Sequence, residues 1–316
     1  MAETAQENGP VRYRNGYRLV DVSDREAKRR KECSGVVGCS LQELPRWRTA
    51  NGWCSPFIRN GYMYNLSTAQ CFTTPFRWTN ETLNFWTSFL AAVYFLCHLV
   101  GVVLARERQD TYDFLIHACV LVSTLPCCFS SSAWHLFINH HSERAARLAN
   151  VADILGVWVA GAGISVPVIA YGLYCYQGYG RLYLSGLAAL LLVLIFCTVS
   201  GMKSHPFRLF QATLMHLTPT LAVFHVWLVL DPEFTSDLTS VVWNKWISTY
   251  MVLFPFMLAT YTVKFPERFW PGRFDYIGQS HQLWHCLYIY ALYCWHGACW
   301  EFADVRRTHP CHASQS

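Results

Sequence analysis

Charge is what this sequence has least of: Asp, Glu, Lys and Arg supply 14% of its 316 residues, against 53% apolar. A soluble globular domain carries about 25% charged residues, so this chain has too little to solvate a surface of its own. The net charge of +5 is too small for a nucleic-acid groove, which needs a dense basic face. The first 30 residues hold no apolar core, which argues against a cleavable signal peptide and leaves the first long apolar helix to act as the targeting signal. Cys33, Cys39, Cys54 and Cys71 lack the paired spacing of a zinc finger, and Cys127 and Cys128 are adjacent, so most cysteines read as small apolar fillers. No Gly-rich phosphate loop, internal repeat or low-complexity tract is present.

Long apolar runs, by contrast, are abundant. Seven can cross a hydrocarbon core of about 30 Å, which takes about 20 helical residues: Leu83 to Ala105, Phe114 to Ile138, Val151 to Tyr174, Leu182 to Met202, Leu209 to Leu230, Trp243 to Val263 and Gly278 to Trp300. Charge bounds them, as at Arg106 to Arg108 and Lys203 to Arg208, and Trp243, Trp246 and Trp270 suit interfacial anchors. The expected fold is an all-α membrane protein, a seven-transmembrane helical bundle over 79–302. A polar leader (1–78) precedes it and a short tail (303–316) follows. Pro126, Pro167, Pro219 and Pro255 interrupt helices two, three, five and six, where kinks could open a lipid-sized cavity. Gly156, Gly161 and Gly163 let helix three approach its neighbours closely.

Parity then groups residues far apart in sequence. With seven crossings, the end of helix two and the starts of helices three and seven face one compartment. His135, Asp153, His281 and His285 therefore lie at similar depth, and imidazoles near lipid need a purpose. His281 and His285 are four apart and project from one helical face, as do Ser131 and His135. Two imidazoles from one helix and a third from another suit zinc and leave its fourth position open, where a bound water becomes acidic enough to act as hydroxide. Asp153 could hold or deprotonate that water, and Ser131 could donate to it or to a substrate oxygen. The plainer readings are histidines bonded across a bundle, Asp153 paired with Arg147, and Ser131 capping a carbonyl. His216 and His225 read as packed or paired rather than as ligands.

These residues resemble a known family. The run Pro266-Glu-Arg-Phe-Trp-Pro-Gly-Arg-Phe-Asp-Tyr-Ile-Gly-Gln-Ser-His-Gln-Leu-Trp-His285 is similar to the signature at the last helix of the progestin and adipoQ receptor family. Asn80-Glu-Thr-Leu-Asn84-Phe-Trp86, the stretch Ser131 to His135, and His141-Ser-Glu143 ahead of Asp153 match its pattern as well, so the resemblance spans about Thr79 to Trp300. Leu292-Tyr-Cys-Trp-His-Gly, with Thr308-His-Pro-Cys311, is most similar to the Golgi-resident branch that traps Raf kinase. Ser88 departs from the family, standing where a histidine is expected, and Ala152 and Ile154 flank Asp153 in place of Leu and Tyr.

The resemblance implies zinc held by His135, His281 and His285 near the cytosolic leaflet, with Asp153 and Ser131 beside it. It also implies a cytosolic N-terminus and a lumenal or extracellular C-terminus. Most of the 25 Lys and Arg fall on the N-terminal side, but the leader holds much of that excess and the loops alone are nearly balanced. Two glycosylation acceptors, Asn65-Leu-Ser67 and Asn80-Glu-Thr82, should stay unmodified if the leader is cytosolic. The basic cluster from Arg25 to Lys31 reads as a solvated face or as a contact for anionic lipid or an acidic partner.

Two function classes follow. In the first, the chain is a receptor or regulator in the Golgi membrane, with the plasma membrane as the alternative. Its zinc is structural, a lipid occupies the bundle, and the leader captures a Raf-type kinase to damp the downstream MAP kinase cascade. In the second, it is a zinc-dependent lipid amidohydrolase, ceramidase-like, in which zinc-bound hydroxide attacks an amide and Asp153 manages protons.

Overall fold

A computed structural model describes residues Tyr13–Arg14, Tyr17–Arg18, 39–201, 205–230 and 237–308. The first two pairs form a two-stranded antiparallel ladder, β1 with β2. Everything else of size is helical. We number the long helices α1 (Thr82–Leu104), α2 (Thr111–Phe137), α3 (Glu143–Gly172), α4 (Gln177–Val199), α5 (His205–His225), α6 (Asp237–Val263) and α7 (Ser280–Thr308). Of these, α1 to α6 are long and apolar enough to cross a membrane. This is an integral membrane protein of several apolar helices. α7 has the length, but His281, Gln282, His285, His296, Glu301, Asp304, Arg306 and Arg307 dilute its apolar character.

The helices start and stop where local chemistry directs. Asp110 accepts from the Tyr112 amide at the start of α2, and Ser142 accepts from the Ala145 amide at the start of α3. That cap starts α3 a little over two turns before the apolar run at Val151, because amphipathic residues continue the helix beyond the lipid. Arg147 pairs there with Glu143, four residues back, and not with Asp153. α5 widens to π geometry over Val226–Leu230, and α6 does so over Ile247–Met251, just before Pro255. The helical path of α7 runs past Trp300 to Thr308 because its last turn is held by side-chain pairs described below.

α3 is the central helix. It buries 72% of its apolar window inside the protein, whereas α4 buries 17% and turns most of its surface outward. Glycine makes the central position available: a Cβ on Gly163 would sit 1.6 Å from Ser123 Oγ, and one on Gly156 would sit 2.7 Å from the Cys127 Cα. α2 therefore lies against α3 with only hydrogen atoms between them. On its other side α3 meets α7. Trp295 donates to the Ile164 carbonyl at 3.0 Å, one residue beyond the carbonyl that Pro167 leaves without a helical donor. Trp295 also packs edge-on to Trp246 and Tyr250 of α6 and to Phe302, forming the aromatic centre of the largest apolar cluster.

The polar leader differs from a simple solvated extension. From Cys39 onward it folds as a cap over one end of the bundle. Cys39, Leu44, Ile58, Tyr62 and Tyr64 form a small core, and Arg48, fully buried, donates to the Met63 carbonyl. Two connections are tied down by this cap. The Leu66 amide donates to Asn139 and its carbonyl accepts from His141 at the α2–α3 turn, while Phe57 accepts from the Gly272 amide in the α6–α7 connection. The Arg25 to Lys31 cluster and Lys203 lie outside the described residues.

Candidate metal centre

The capped end is where the polar side chains converge, and the connection before α7 aims them. Asp275 accepts from the backbone amides of Arg59 and Asn60 at 2.8 and 3.0 Å, which docks the cap. Glu267 accepts from the Ser280 amide and hydroxyl at 2.8 and 2.6 Å, supplying the acceptor that the first turn of α7 requires. Gln282 bridges back to the Gly278 amide and the Tyr276 carbonyl, and Gly278 takes a left-handed φ of 82° that an L side chain would resist. The Pro266 to His285 run thus has a mechanical reading: its acids and amides fix the first turn of α7, and that turn carries His281.

His135, His281 and His285 meet. Each offers one nitrogen, and all three nitrogens lie within 4.8 Å of one another. His135 Nε2 faces His281 Nε2 at 3.2 Å, and the three ring pairs are 5.0, 5.0 and 4.6 Å apart, centroid to centroid. Two nitrogens bound to one tetrahedral zinc at about 2.05 Å would be about 3.3 Å apart. The observed spacing fits a shared cation. Without one, His281 Nε2–H would donate to His135 Nε2 across the same gap.

The far sides of two rings are held. Glu81 Oε2 lies 2.8 Å from His135 Nδ1, which fixes that nitrogen as the protonated one and leaves Nε2 as the ligand atom. His285 Nδ1 lies 3.0 Å from Thr87 Oγ1 and 3.2 Å from Ser88 Oγ. Ser88 also reaches Ser131 Oγ at 3.0 Å, so the serine that departs from the family pattern is part of the site. Asp153 lies beside Ser131 and within electrostatic reach of His135. Thus all five expected residues gather at one end of the bundle.

Glu81, Thr87 and Ser88 escape a reading by sequence. Glu81 sits between Asn80 and Thr82 in what looks like a turn, yet it is buried and accepts from Asn80 at 3.2 Å and Asn84 at 2.9 Å in addition to contacting His135. Burial alone would raise its pKa; the hydrogen bond from His135, with Arg48 and Asn84 behind it, outweighs that and holds the carboxyl below the usual range. The only available sequence signal is that a carboxylate opens an apolar helix with two asparagines around it. The same geometry disables one topology reporter, since Asn80 is 3% exposed and engaged with Glu81, whereas Asn65 is exposed.

His216 and His225 are packed, as expected: His216 Nδ1 lies 2.8 Å from the Ala212 carbonyl with its ring stacked on Phe254, and His225 meets Tyr183 at 3.3 Å. A cleft of about 620 Å³ lies away from the histidines. It opens at the other end of the bundle between Tyr112, Leu115, Tyr174, Arg181 and Leu184. One cysteine departs from the filler reading: Cys175, in the turn after α3, is disulfide-bonded.

A helical membrane bundle with a buried trio of imidazoles, backed by a carboxylate at the mouth of its first helix, defines the class of protein. The model of the haemolysin-III related family matches residues 76–296. The chain belongs to that family. It is 29% identical over 283 residues to human "Progestin and adipoQ receptor family member 3", covering 81% of this chain and 84% of that one. It is 30% identical to human "Membrane progestin receptor delta" over 72% of this chain and 69% of that one, and 27% identical to the Drosophila melanogaster "Adiponectin receptor protein" over 85% and 60%.

Proposed function

We propose that this chain is a seven-span, zinc-holding membrane receptor or regulator, and the observation that carries this reading is the nitrogen trio with its Glu81 backing. In this reading the spans occupy 79–302, the capped end faces the cytosol, and α7 is the seventh crossing, its polar residues turned into the bundle. Cys175 supports the orientation. Disulfides persist in oxidising compartments; Cys175 lies at the end opposite the cap, and in the cap Cys54 and Cys71 are free thiols. Zinc bound by His135, His281 and His285 would supply Lewis acidity at its open position. Structurally it would pin α2 to α7, with Glu81 of the α1 mouth as the third anchor. Purified chain should carry one chelator-resistant zinc that His281→Ala loses; wild type without it defeats the reading.

By similarity to its family member 3 relatives, the chain is proposed to reside in the Golgi membrane, hold a lipid among its helices and capture a Raf-type kinase through the leader, damping the MAP kinase cascade. The leader's division decides how to test this. Removing residues 1–38 spares the cap core of Cys39, Leu44, Ile58, Tyr62 and Tyr64, whereas a cut reaching Arg48 would take out a fully buried side chain. The 1–38 deletion should reach the Golgi and fail to capture the kinase; unchanged capture refutes the leader's role.

Asp153 favours a second reading, lipid amidohydrolysis. It lies beside the Ser131 hydroxyl and near His135, placed to accept a proton, while the Ser88–Ser131 hydroxyl pair can donate to a carbonyl oxygen. Asp153→Asn should keep zinc and folding and abolish fatty-acid release from ceramide. Zinc-loaded wild type that releases none counts against hydrolysis.

A further inference from the structure

A second set of imidazoles lies about three turns along α7 from the first, toward the uncapped end. His98 of α1, His117 of α2 and His296 of α7 come together there. The His98 and His296 rings are 5.1 Å apart, centroid to centroid, close to the 4.6 to 5.0 Å of the first trio, and His117 stands 6.3 Å from His296. None of this is forced by the first site: its rings come from α2 and α7 alone, whereas here α1 contributes His98.

Their hydrogen bonding is the telling feature. His117 is fully buried and His296 is 4% exposed, yet both nitrogens of His117 and Nε2 of His296 have no hydrogen-bond partner among the described residues. The backbone of Cys299 comes near His117 without reaching hydrogen-bonding geometry. Leaving a buried polar atom unpaired forfeits the hydrogen bond it had with water. The neighbouring acid offers no relief: Asp113, one turn before His117, is engaged by Arg306 at 2.9 Å and by Tyr171 at 3.0 Å. Trp300 covers the His117 ring at 4.0 Å and keeps lipid from it. His98 is half-buried at the rim and leans on Tyr94, which leaves it the ring best able to move.

We infer that His98, His117 and His296 form a second transition-metal site, for a dication that accepts imidazole ligands. Three neutral nitrogen donors with no carboxylate among them match zinc or copper(II) and not calcium or magnesium, which take oxygen ligands. Among the described residues only the first trio has its nitrogens within 4.8 Å of one another, so binding here would draw His98 and His117 in toward His296. Binding would give the orphaned nitrogens the partner the protein does not supply, and would tie α1, α2 and α7 together at the uncapped end as the first site does at the capped end.

Equilibrium dialysis of the purified, detergent-solubilised full chain against zinc alone and copper(II) alone, followed by metal analysis, tests this. Wild type should bind two equivalents of at least one ion. His98→Ala, at the rim and least disturbing to packing, and His117→Gln should each bind one, still held by the first trio. His281→Ala should also bind one, and His281→Ala with His98→Ala none. Wild type that saturates at a single equivalent with both ions overturns the second site, as does a second equivalent that survives both His98→Ala and His117→Gln. Neither result touches the first site, whose loss is read from His281→Ala.

Discussion

The two ends of the bundle bury comparable polar chemistry and use it differently. At the uncapped end, Asp113 accepts from the Arg306 Nε and Nη2 at 2.9 Å and from the Tyr171 hydroxyl at 3.0 Å, while Asp110 takes Arg306 Nη2 at 2.9 Å. Tyr112 and Tyr174 flank the same guanidinium at 5.2 and 5.3 Å. In that cluster all three Arg306 nitrogens and both Asp113 oxygens are engaged, so it is closed and locks the last turn of α7 to α2. At the capped end, Glu81, Thr87 and Ser88 satisfy the outer faces of His135 and His285 and leave nitrogens facing one another. Saturation marks a structural ion pair. Three imidazole nitrogens converging within 4.8 Å mark a ligand site.

That contrast can be broken most severely at the ligands. His285→Ala should abolish chelator-resistant zinc while leaving the Asp113–Arg306 lock in place, as metal analysis and thermal unfolding of the same preparation would show. Next in size is the lock itself. Arg306→Met strands a buried carboxylate and should destabilise by about 3–5 kcal/mol, and adding Asp113→Asn should recover most of that; equal losses in the single and double variants would mean the pair is not coupled. Glu81→Gln keeps the shape but loses the charge behind His135, and should weaken zinc about 10–100-fold without unfolding the bundle. An unchanged affinity would demote Glu81 to packing.

Smaller effects test the proposed difference in compartment between the ends. Burial pushes the Cys71 thiol up to about 11. At pH 8 it is almost wholly protonated and should resist alkylation in the native protein, reacting about tenfold faster per pH unit up to that value; ready labelling at pH 8 would show the cap open. Peptide mapping without reductant should find Cys175 oxidised and Cys71 reduced in protein from cells. Glycosylation at the exposed Asn65 would reverse the proposed orientation; its absence at the buried Asn80 carries no information.

Much of the architecture was legible because hydropathy acts locally. The observed α1 is displaced from its expected bounds by a residue at each end, and α7 starts two residues late, since apolar runs report directly what lipid will accept. α3 was harder: its first two turns are amphipathic, so hydropathy misses them, while the Ser142 cap, a local hydrogen bond, starts the helix there. The fold of the cap was illegible for another reason. Its core is five medium-sized residues without periodicity, and its docking uses backbone amides on Asp275 and Asn139, which composition does not record.

From the sequence alone follow the membrane bundle, the common depth of His135, Asp153, His281 and His285, and the side on which Ser131 joins them, because helical rise and parity are additive along a chain. Only the tertiary structure decided that Glu81 orients His135, that Ser88 replaces an expected ring with a hydroxyl bonded to His285, and that His117 and His296 meet with three ring nitrogens unpaired. Those choices depend on distances between residues on different helices, set by how closely Gly156 and Gly163 let α3 meet α2 and by how Glu267 seats α7. No single segment carries that information.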